Sequence, residues 1–220
     1  MNNIKTTQAL VVDLEDVVVK DGMNVVERAI KRGFDIIASL FGLLLLSPVF
    51  LCIYIKLRQQ KYGPVLFRQE RIGMDAKPFN ILKFRTMKLD CELHGKPQLA
   101  RVDDDRLTPV GKFLREHHLD ELPQLWNVLA GDMSFVGPRP ERKYFIDMIM
   151  KENADYELLF QIRPGITSMA TIYNGYTDTM EKMLIRLQMD LDYLQQRSLW
   201  LDIKVILITV KLLVNKKDLV

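Results

Sequence analysis

The chain has 220 residues, enough for one domain with its own hydrophobic core. A formal net charge of +3 gives no indication of nucleic-acid binding. The two cysteines, Cys52 in an apolar run and Cys91 in a polar one, argue against a disulfide framework and a cysteine-rich metal site.

The first 30 residues show no clear pattern. The run LVVDLEDVVV mixes valines with acids and is compatible with a short strand or a loose arm. We therefore treat residues 1–30 as an arm without assigned function, 31–58 as a separate apolar segment and 59–220 as the remaining domain.

Residues 31–58 contain a long apolar stretch. The 20 residues from 36 to 55 carry no charge, so they could cross a bilayer as one helix. Ser47-Pro48 would kink that helix past its middle, and basic residues flank both ends: Lys31, Arg32, Lys56 and Arg58. Basic flanks favour the cytoplasmic side, which suits a re-entrant helix–break–helix hairpin. Because true spans tolerate prolines, the residues alone leave a re-entrant segment, a spanning helix and a buried core helix open.

Residues 63–87 predict a β-hairpin. Two strand-like runs, GPVLFRQERIG and PFNILKFRTM, flank a turn at 73–77. In the second run Lys83 and Arg85 share one face, opposite Leu82 and Phe84. Two cations on one face could hold a diphosphate, or they could form an ordinary solvated face.

Residues 88–107 are polar and predict a loop. Its acidic run, Asp103 to Asp105, is typical of a solvated loop, with cation binding as the alternative. Thr108-Pro109 predicts the N-cap and first residue of a short helix, which would bring Arg115 near the acidic pair that follows. The neighbouring His117 and His118 would face different sides of a helix, so we do not predict them as metal ligands.

The most informative stretch is 115–140, with the adjacent acids Asp120 and Glu121. Apolar residues follow at helical spacing and predict one buried face: Leu122, Leu125, Trp126 and Leu129. Pro123 suits a first turn, and Gly131 suits a helix end. The carboxylates should then lie at a helix start, where the dipole keeps them ionised and would also attract a phosphate. Simple charge compensation of the helix end is the structural alternative.

Arg139 lies between two prolines in Gly137-Pro138-Arg139-Pro140. Each proline fixes its own φ and favours extended geometry before it, so the arginine is held on stiff backbone. Such an arginine is suited to a bidentate grip on phosphate. An ordinary surface loop is the alternative.

The last third predicts helices. Residues 141–160 and the amphipathic 179–197 are separated by a turn at Arg163 to Thr167. Asp190 and Tyr193 are expected, from the residues alone, on an ordinary helix surface. Residues 198–214 are strongly apolar, but their internal charges argue against a clean span. A helix in a membrane interface, with Trp200 at headgroup level, fits them better.

The run LDELPQLWNVL…GDMSFVGPRP resembles the signature of the bacterial sugar transferases, the monotopic phosphoglycosyl transferases. Further motifs match in the same order over residues 30–214: Lys31, Arg32, Asp35, Ser47, Pro48, the KFRTM run, Asp104-Asp105-Arg106-Leu107-Thr108, Asp190 and Tyr193. One departure lies after the 163–167 turn, where Ser-Met-Ala-Thr replaces the family's frequent Gly-Trp-Ala-Gln. That departure leaves the identity of the sugar undetermined.

The resemblance implies a mostly helical α+β fold with a small β-hairpin, a re-entrant membrane helix and interfacial amphipathic helices. It implies transfer of a sugar 1-phosphate from a UDP-sugar to polyprenyl (undecaprenyl) phosphate, with release of UMP. Asp120 would be the nucleophile that forms an aspartyl-phosphosugar intermediate, and Glu121 would help to bind Mg²⁺ with it or handle protons. The expected substrate-binding residues are the cations of these motifs: Lys83, Arg85, Arg106, Arg115, Arg139 and Arg163.

The implied setting is the inner leaflet of the bacterial cytoplasmic membrane, with the catalytic domain on the cytoplasmic face. A nucleotide-sugar donor, polyprenyl phosphate and phospholipid are the expected partners, nucleic acid is not, and a homo-oligomer remains open. Two rival hypotheses are a non-catalytic membrane adaptor and a single-pass protein with a different soluble enzymatic domain.

Overall fold

The computed structural model describes residues 20–60, 62–88, 104–175 and 177–215. The interpretation of residues 1–19 as an arm or strand therefore lies outside the described residues, as do the polar stretch around Cys91 and the first acid of the 103–105 run.

Two consecutive helices form a bent pair at the start of the described chain. Helix α1 is Val25–Leu45, and Asn24 and Glu27 form a capping box at its start. Helix α2, Ser47–Gln59, follows after Leu46 at an angle of 60°. Pro48 lies in the first turn of α2, where its missing N–H costs little. The predicted break at Ser47-Pro48 is present, and α1 begins within the stretch that the sequence left unassigned.

In the described part of the chain, α1 and α2 are each too short or too polar to count as a candidate membrane span. Only the two together meet the length and hydropathy of one, and they do so across the bend.

The predicted β-hairpin is confirmed. Strand β1, Leu66–Ile72, pairs antiparallel with β2, Pro78–Phe84, and a 3₁₀ turn at Met74–Ala76 joins them. Because β2 ends at Phe84, Arg85 lies beyond the strand, which separates it from the face that carries Lys83.

The acidic pair is not at the start of the long helix that the sequence predicted. Helix α3, Pro109–Glu116, has the expected Thr108 cap. A separate 3₁₀ turn, Leu119–Glu121, follows and contains both acids, and α4 is only Gln124–Ala130. Gly131 ends α4 in the left-handed conformation, as predicted. The predicted buried face is also wrong at Trp126, which is 54% exposed.

The remaining elements complete a mostly helical fold. Short strands β3, Ser134–Val136, and β4, Gly165–Thr167, pair in parallel, a contact that the sequence did not predict. The helices are α5 Lys143–Glu152, a 3₁₀ segment Ala154–Gln161, α6 Met169–Tyr173, α7 Met180–Gln196 and α8 Leu199–Val214. The expected α+β architecture is therefore confirmed at the level of a helical fold with a small antiparallel sheet.

Helix α7 packs against α5 and the 154–161 segment through an apolar cluster that includes Leu187 and Leu191. The expectation that Asp190 and Tyr193 lie on its surface is wrong, because each is 2% exposed. Tyr193 donates to Asp202 of α8 at 2.6 Å, so these polar residues join the two helices.

Three charged residues of α1 attach this helix to the rest of the fold. Lys31 pairs with Asp202 of α8. The buried Asp35 accepts hydrogen bonds at the start of β3, from Ser134 Oγ and Phe135 N, both at 3.1 Å. Arg32 donates to the carbonyls that end α4, those of Val128 at 2.7 Å and Leu129 at 2.9 Å. Three residues of the predicted membrane motif therefore attach the bent α1–α2 pair to the rest of the fold.

Candidate active site

The two adjacent acids are held in the 3₁₀ turn between α3 and α4, beside strand β2. His118, in the left-handed region with φ 53°, redirects the chain out of α3 and into this turn. The turn buries Asp120, which is 6% exposed, and aims Glu121 at the hairpin. The sequence order α3, turn, α4 therefore places two carboxylates side by side in a partly desolvated position.

Glu121 is held between two cations. Lys83 Nζ lies 2.5 Å from Glu121 Oε1, and Arg139 Nη2 lies 3.8 Å from the same oxygen. Burial raises the pKa of the Glu121 carboxyl, but Lys83 and Arg139 together lower it by more than burial raises it. The resulting pKa is about 2. Glu121 is therefore a fixed anion at neutral pH.

Asp120 has a different environment. Burial raises the pKa of its carboxyl and the negative Glu121 adds to the rise, while Lys83 and Arg115 oppose it. This direction is opposite to the one we expected from a helix dipole, because the 3₁₀ turn offers no long helix start. Among the described residues none donates a hydrogen bond to the Asp120 carboxylate, so its oxygens are available to a ligand.

Arg115, at the end of α3, supplies an unused donor beside Asp120. Its Nη1 is buried and has no hydrogen-bond partner within the described chain. A buried guanidinium nitrogen without an acceptor is costly, and a phosphate oxygen would satisfy it. Arg115 thus stays with Lys83 and Arg139 in the group of cations around the acidic pair.

The other three predicted cations are placed differently. Arg85 is buried and donates to main-chain carbonyls at the end of α2 and just beyond it, those of Leu57 at 2.9 Å, Pro64 at 2.8 Å and Gly63. Arg106 makes a two-pronged contact with Asp104, at 2.6 and 2.5 Å. Arg163 donates to Gly131 O at 2.8 Å, at the opposite end of α4 from the acids. These contacts join the three guanidinium groups to partners other than the acidic pair.

Magnesium was expected at Asp120 and Glu121. The described residues contain no cluster of three or more His, Cys, Asp or Glu side chains suited to a metal. Mg²⁺ is nevertheless commonly bound by one or two carboxylates together with substrate phosphates and water. The free carboxylate of Asp120 beside the ionised Glu121 fits that smaller donor set.

Sequence reasoning missed the polar contacts behind this site. Arg71 and Arg186, far apart in sequence, both bind Glu141, which directly follows the Pro-Arg-Pro segment. The available signal was Arg186, which lies at helical spacing from the apolar Met183 and directly before Leu187 in α7, since buried charges need partners. Arg71 gave no such signal, because β1 carries several other polar residues.

Comparison with known proteins places the chain in a family. Residues 26–216 match the family described as bacterial sugar transferase. The UDP-glucose:undecaprenyl-phosphate glucose-1-phosphate transferase of Escherichia coli K12 is 45% identical over 194 residues, which are 87% of this chain and 42% of that protein. The protein of the same name from Caulobacter vibrioides is 43% identical over 184 residues, covering 82% of this chain and 68% of that protein.

A UDP-N-acetylgalactosamine-undecaprenyl-phosphate N-acetylgalactosaminephosphotransferase from Aeromonas hydrophila is 40% identical over 182 residues, 83% of this chain and 43% of that protein. The chain thus spans less than half the length of the Escherichia and Aeromonas relatives and about two thirds of the Caulobacter one. The match over almost all of its residues shows that the chain belongs to the bacterial sugar transferase family.

Proposed function

We propose that the protein transfers a sugar 1-phosphate from a UDP-sugar to undecaprenyl phosphate, releasing UMP and forming an undecaprenyl diphosphate sugar. The observation that carries this proposal is the buried Asp120, which accepts no hydrogen bond from any described residue and lies beside a Glu121 fixed by Lys83 and Arg139. The relatives' names, which specify UDP-sugar donors and undecaprenyl phosphate, support the same reaction.

The reaction would proceed in two steps. An Asp120 oxygen attacks the donor phosphorus that bears the sugar, and the bond from that phosphorus to the bridging oxygen breaks. UMP leaves with the electron pair, and an acyl phosphate joins Asp120 to the sugar phosphate. A phosphate oxygen of the lipid then attacks the same phosphorus, which releases the Asp120 carboxylate. Two steps allow the soluble UMP to leave before the lipid phosphate arrives.

The surrounding charges suit this chemistry. A carboxylate and a diphosphate repel each other unless cations lie between them. Arg139 can offer its planar fork to the phosphates, and Arg115 can offer its unused Nη1. Asp120 and Glu121 would hold Mg²⁺, which would neutralise charge on the diphosphate and on the leaving UMP.

The exposed apolar surfaces support a membrane setting. The bent α1–α2 pair exposes large apolar side chains along its length, including Ile37, Phe41 and Leu51. We propose that it enters and leaves the inner leaflet of the cytoplasmic membrane from the cytoplasmic side, as a re-entrant hairpin. Helix α8 would lie in the interface, since Trp200 is 73% exposed and Leu207 and Val210 are exposed on the same helix.

Incubation without lipid tests the proposal. Purified protein mixed with Mg²⁺ and each of a panel of UDP-sugars should release at most one UMP per active site and gain the mass of a phosphosugar. Adding undecaprenyl phosphate should then give turnover and remove the added mass. Asp120→Asn should do neither. An Asp120→Asn protein with product formation near the wild-type rate would refute the nucleophile. Full turnover with lipid but no UMP without it would favour direct transfer.

A further inference from the structure

The segment that carries Arg139 is fixed on both sides. On the N-terminal side, Gly137 N donates to Thr167 O at 3.1 Å, and Gly165 N donates to Pro138 O at 2.9 Å. A Cβ on Gly165 would lie 2.1 Å from Gly137 N, so the two backbones touch there. This contact with β4 depends only on backbone and on glycine.

On the C-terminal side, the segment depends on side chains. Ile72 N, at the end of β1, donates to Glu141 O at 3.1 Å, and Arg71 Nη1 donates to Pro140 O at 3.0 Å. The Glu141 carboxylate then receives one guanidinium on each oxygen, Arg71 Nη1 on Oε2 at 3.0 Å and Arg186 Nη1 on Oε1 at 2.8 Å. One carboxylate therefore connects the segment to both β1 and α7.

Charge makes this carboxylate hard to replace. Burial lowers the pKa values of the Arg71 and Arg186 guanidinium groups, Glu141 opposes that change, and repulsion by the nearby Arg139 adds to it. Glu141 is the hydrogen-bonded counter-ion that Arg71 and Arg186 share within the described chain. Without it, Arg71 and Arg186 would lose the carboxylate that they share, although Asp190 would still attract Arg186. The two guanidinium groups would then repel Arg139 from its position near Glu121.

We propose that Glu141 is a positioning residue: through Arg71 and Arg186 it holds the Pro138–Glu141 segment in place, so that Arg139 faces Glu121 and the donor phosphates. This inference rests on the proposed function for its catalytic consequence. Its structural part, the anchoring of the segment, does not.

A double-mutant cycle tests the consequence. Glu141→Gln should lower kcat/KM for UMP release by about tenfold or more. Glu157→Gln is a matched control, because the Glu157 side chain is exposed and makes no hydrogen bond within the described residues, and it should leave kcat/KM unchanged. If Glu141 acts through Arg139, the double variant Glu141→Gln with Arg139→Lys should lose little more than Arg139→Lys alone. Losses that multiply, or a Glu141→Gln variant with wild-type activity, would overturn the proposal.

Hydrogen exchange tests the anchoring without any turnover. In Glu141→Gln the Ile72 amide, bonded to Glu141 O, should exchange about tenfold faster or more, while the Gly137 and Gly165 amides keep their protection. If the wild type releases no UMP, the proposed function fails and the anchor is judged on this exchange alone. If Glu141→Gln does not fold, Arg186→Gln takes its place in the kinetic and the hydrogen-exchange measurements. Arg186→Gln removes one of the two guanidinium contacts to Glu141. Unchanged Ile72 exchange in the variant that folds would overturn the anchor.

Discussion

Lys83 Nζ lies 2.5 Å from Glu121 Oε1, whereas the neighbouring Asp120 accepts no hydrogen bond from the described residues. Two adjacent carboxylates therefore have opposite pKa directions, lowered to about 2 in Glu121 and raised in Asp120. Such a division is common where two acids have different roles in one site. Here it suits a permanent anion beside a carboxylate that can react.

Removing Lys83 should move the acid side of the activity profile. Lys83 is the strongest of the interactions that lower the pKa of Glu121, so Lys83→Met should raise that pKa while the burial remains. The acid limb of kcat/KM against pH should shift upward, with lower activity at neutral pH. The rate of UMP release across pH 5 to 9, about the range in which such proteins stay folded, measures this. Lys77→Met, in the exposed turn of the same hairpin, is the matched control, and an unshifted limb would contradict the prediction.

The shape of Arg139 should matter as well as its charge. Arg139→Lys keeps the positive charge but loses the planar fork, so we expect kcat/KM to fall by about tenfold or more, which corresponds to about 1.4 kcal/mol. The exposed Arg68→Lys on β1 controls for the substitution itself. Near-normal turnover of Arg139→Lys would show that Arg139 is only a loop residue.

Local patterns in the sequence predicted much of the fold and the core of the site. Strand alternation predicted the β-hairpin, and Pro48 predicted the break between α1 and α2. Lys83 and Arg139, predicted as phosphate-binding residues, both lie at Glu121. These features depend on residue type and short spacing, which a sequence displays directly.

The features that the sequence missed depend on distant partners. Asn127 fixes which face of α4 points inward. Its Oδ1 accepts from Leu82 N at 2.9 Å, and its Nδ2 donates to Asn80 O at 2.8 Å, both in the β-hairpin. That choice of face leaves Trp126 exposed, against the prediction from apolar spacing. Strand alternation predicted that Arg85 shares a face with Lys83. Instead, Arg85 donates a hydrogen bond to the Leu57 carbonyl at the end of α2. Neither contact is visible in local periodicity.

The two ends of the α1–α2 pair should lie on the same side of the membrane. Val25 and Gln59 are exposed near the ends of the pair, so single cysteines there can be labelled. In a Cys52→Ser, Cys91→Ser background, Val25→Cys and Gln59→Cys should both resist a thiol reagent that cannot enter intact cells. Both should react after permeabilisation, which serves as the control. Labelling of one site alone in intact cells would refute the re-entrant hairpin.

The bend should depend on Ser47 and Pro48. Ser47 Oγ donates to Leu44 O at 2.8 Å, and Pro48 cannot donate to the preceding turn. Changing Ser47-Pro48 to Leu-Leu should favour one continuous helix, so that one of the two cysteine sites becomes accessible from outside in part of the population. Unaltered protection of both sites would show that packing against the domain, through residues such as Arg32, is sufficient to keep the bend.

Asp190 should make the protein less stable as pH rises toward neutrality. Burial raises the pKa of this carboxyl most and Glu141 raises it further, while Arg186 lowers it, and the result is a pKa of about 7. Between pH 4 and 7 the folded state keeps a proton that the unfolded chain has released, so the free energy of unfolding falls across this window. Three pH units correspond to a loss on the order of 4 kcal/mol.

An uncharged replacement should remove this dependence. Asp190→Asn resembles the protonated acid, so it should match the wild type near pH 5 and be the more stable protein at pH 8. Denaturant unfolding in detergent at a series of pH values measures both. Asp192→Asn, exposed two residues further along α7, should leave the pH dependence unchanged. A wild-type stability that rises from pH 5 to pH 8, or equal slopes for wild type and Asp190→Asn, would show that Asp190 is already ionised in the folded protein. In that case Arg186 must compensate its charge more strongly than the buried position indicates.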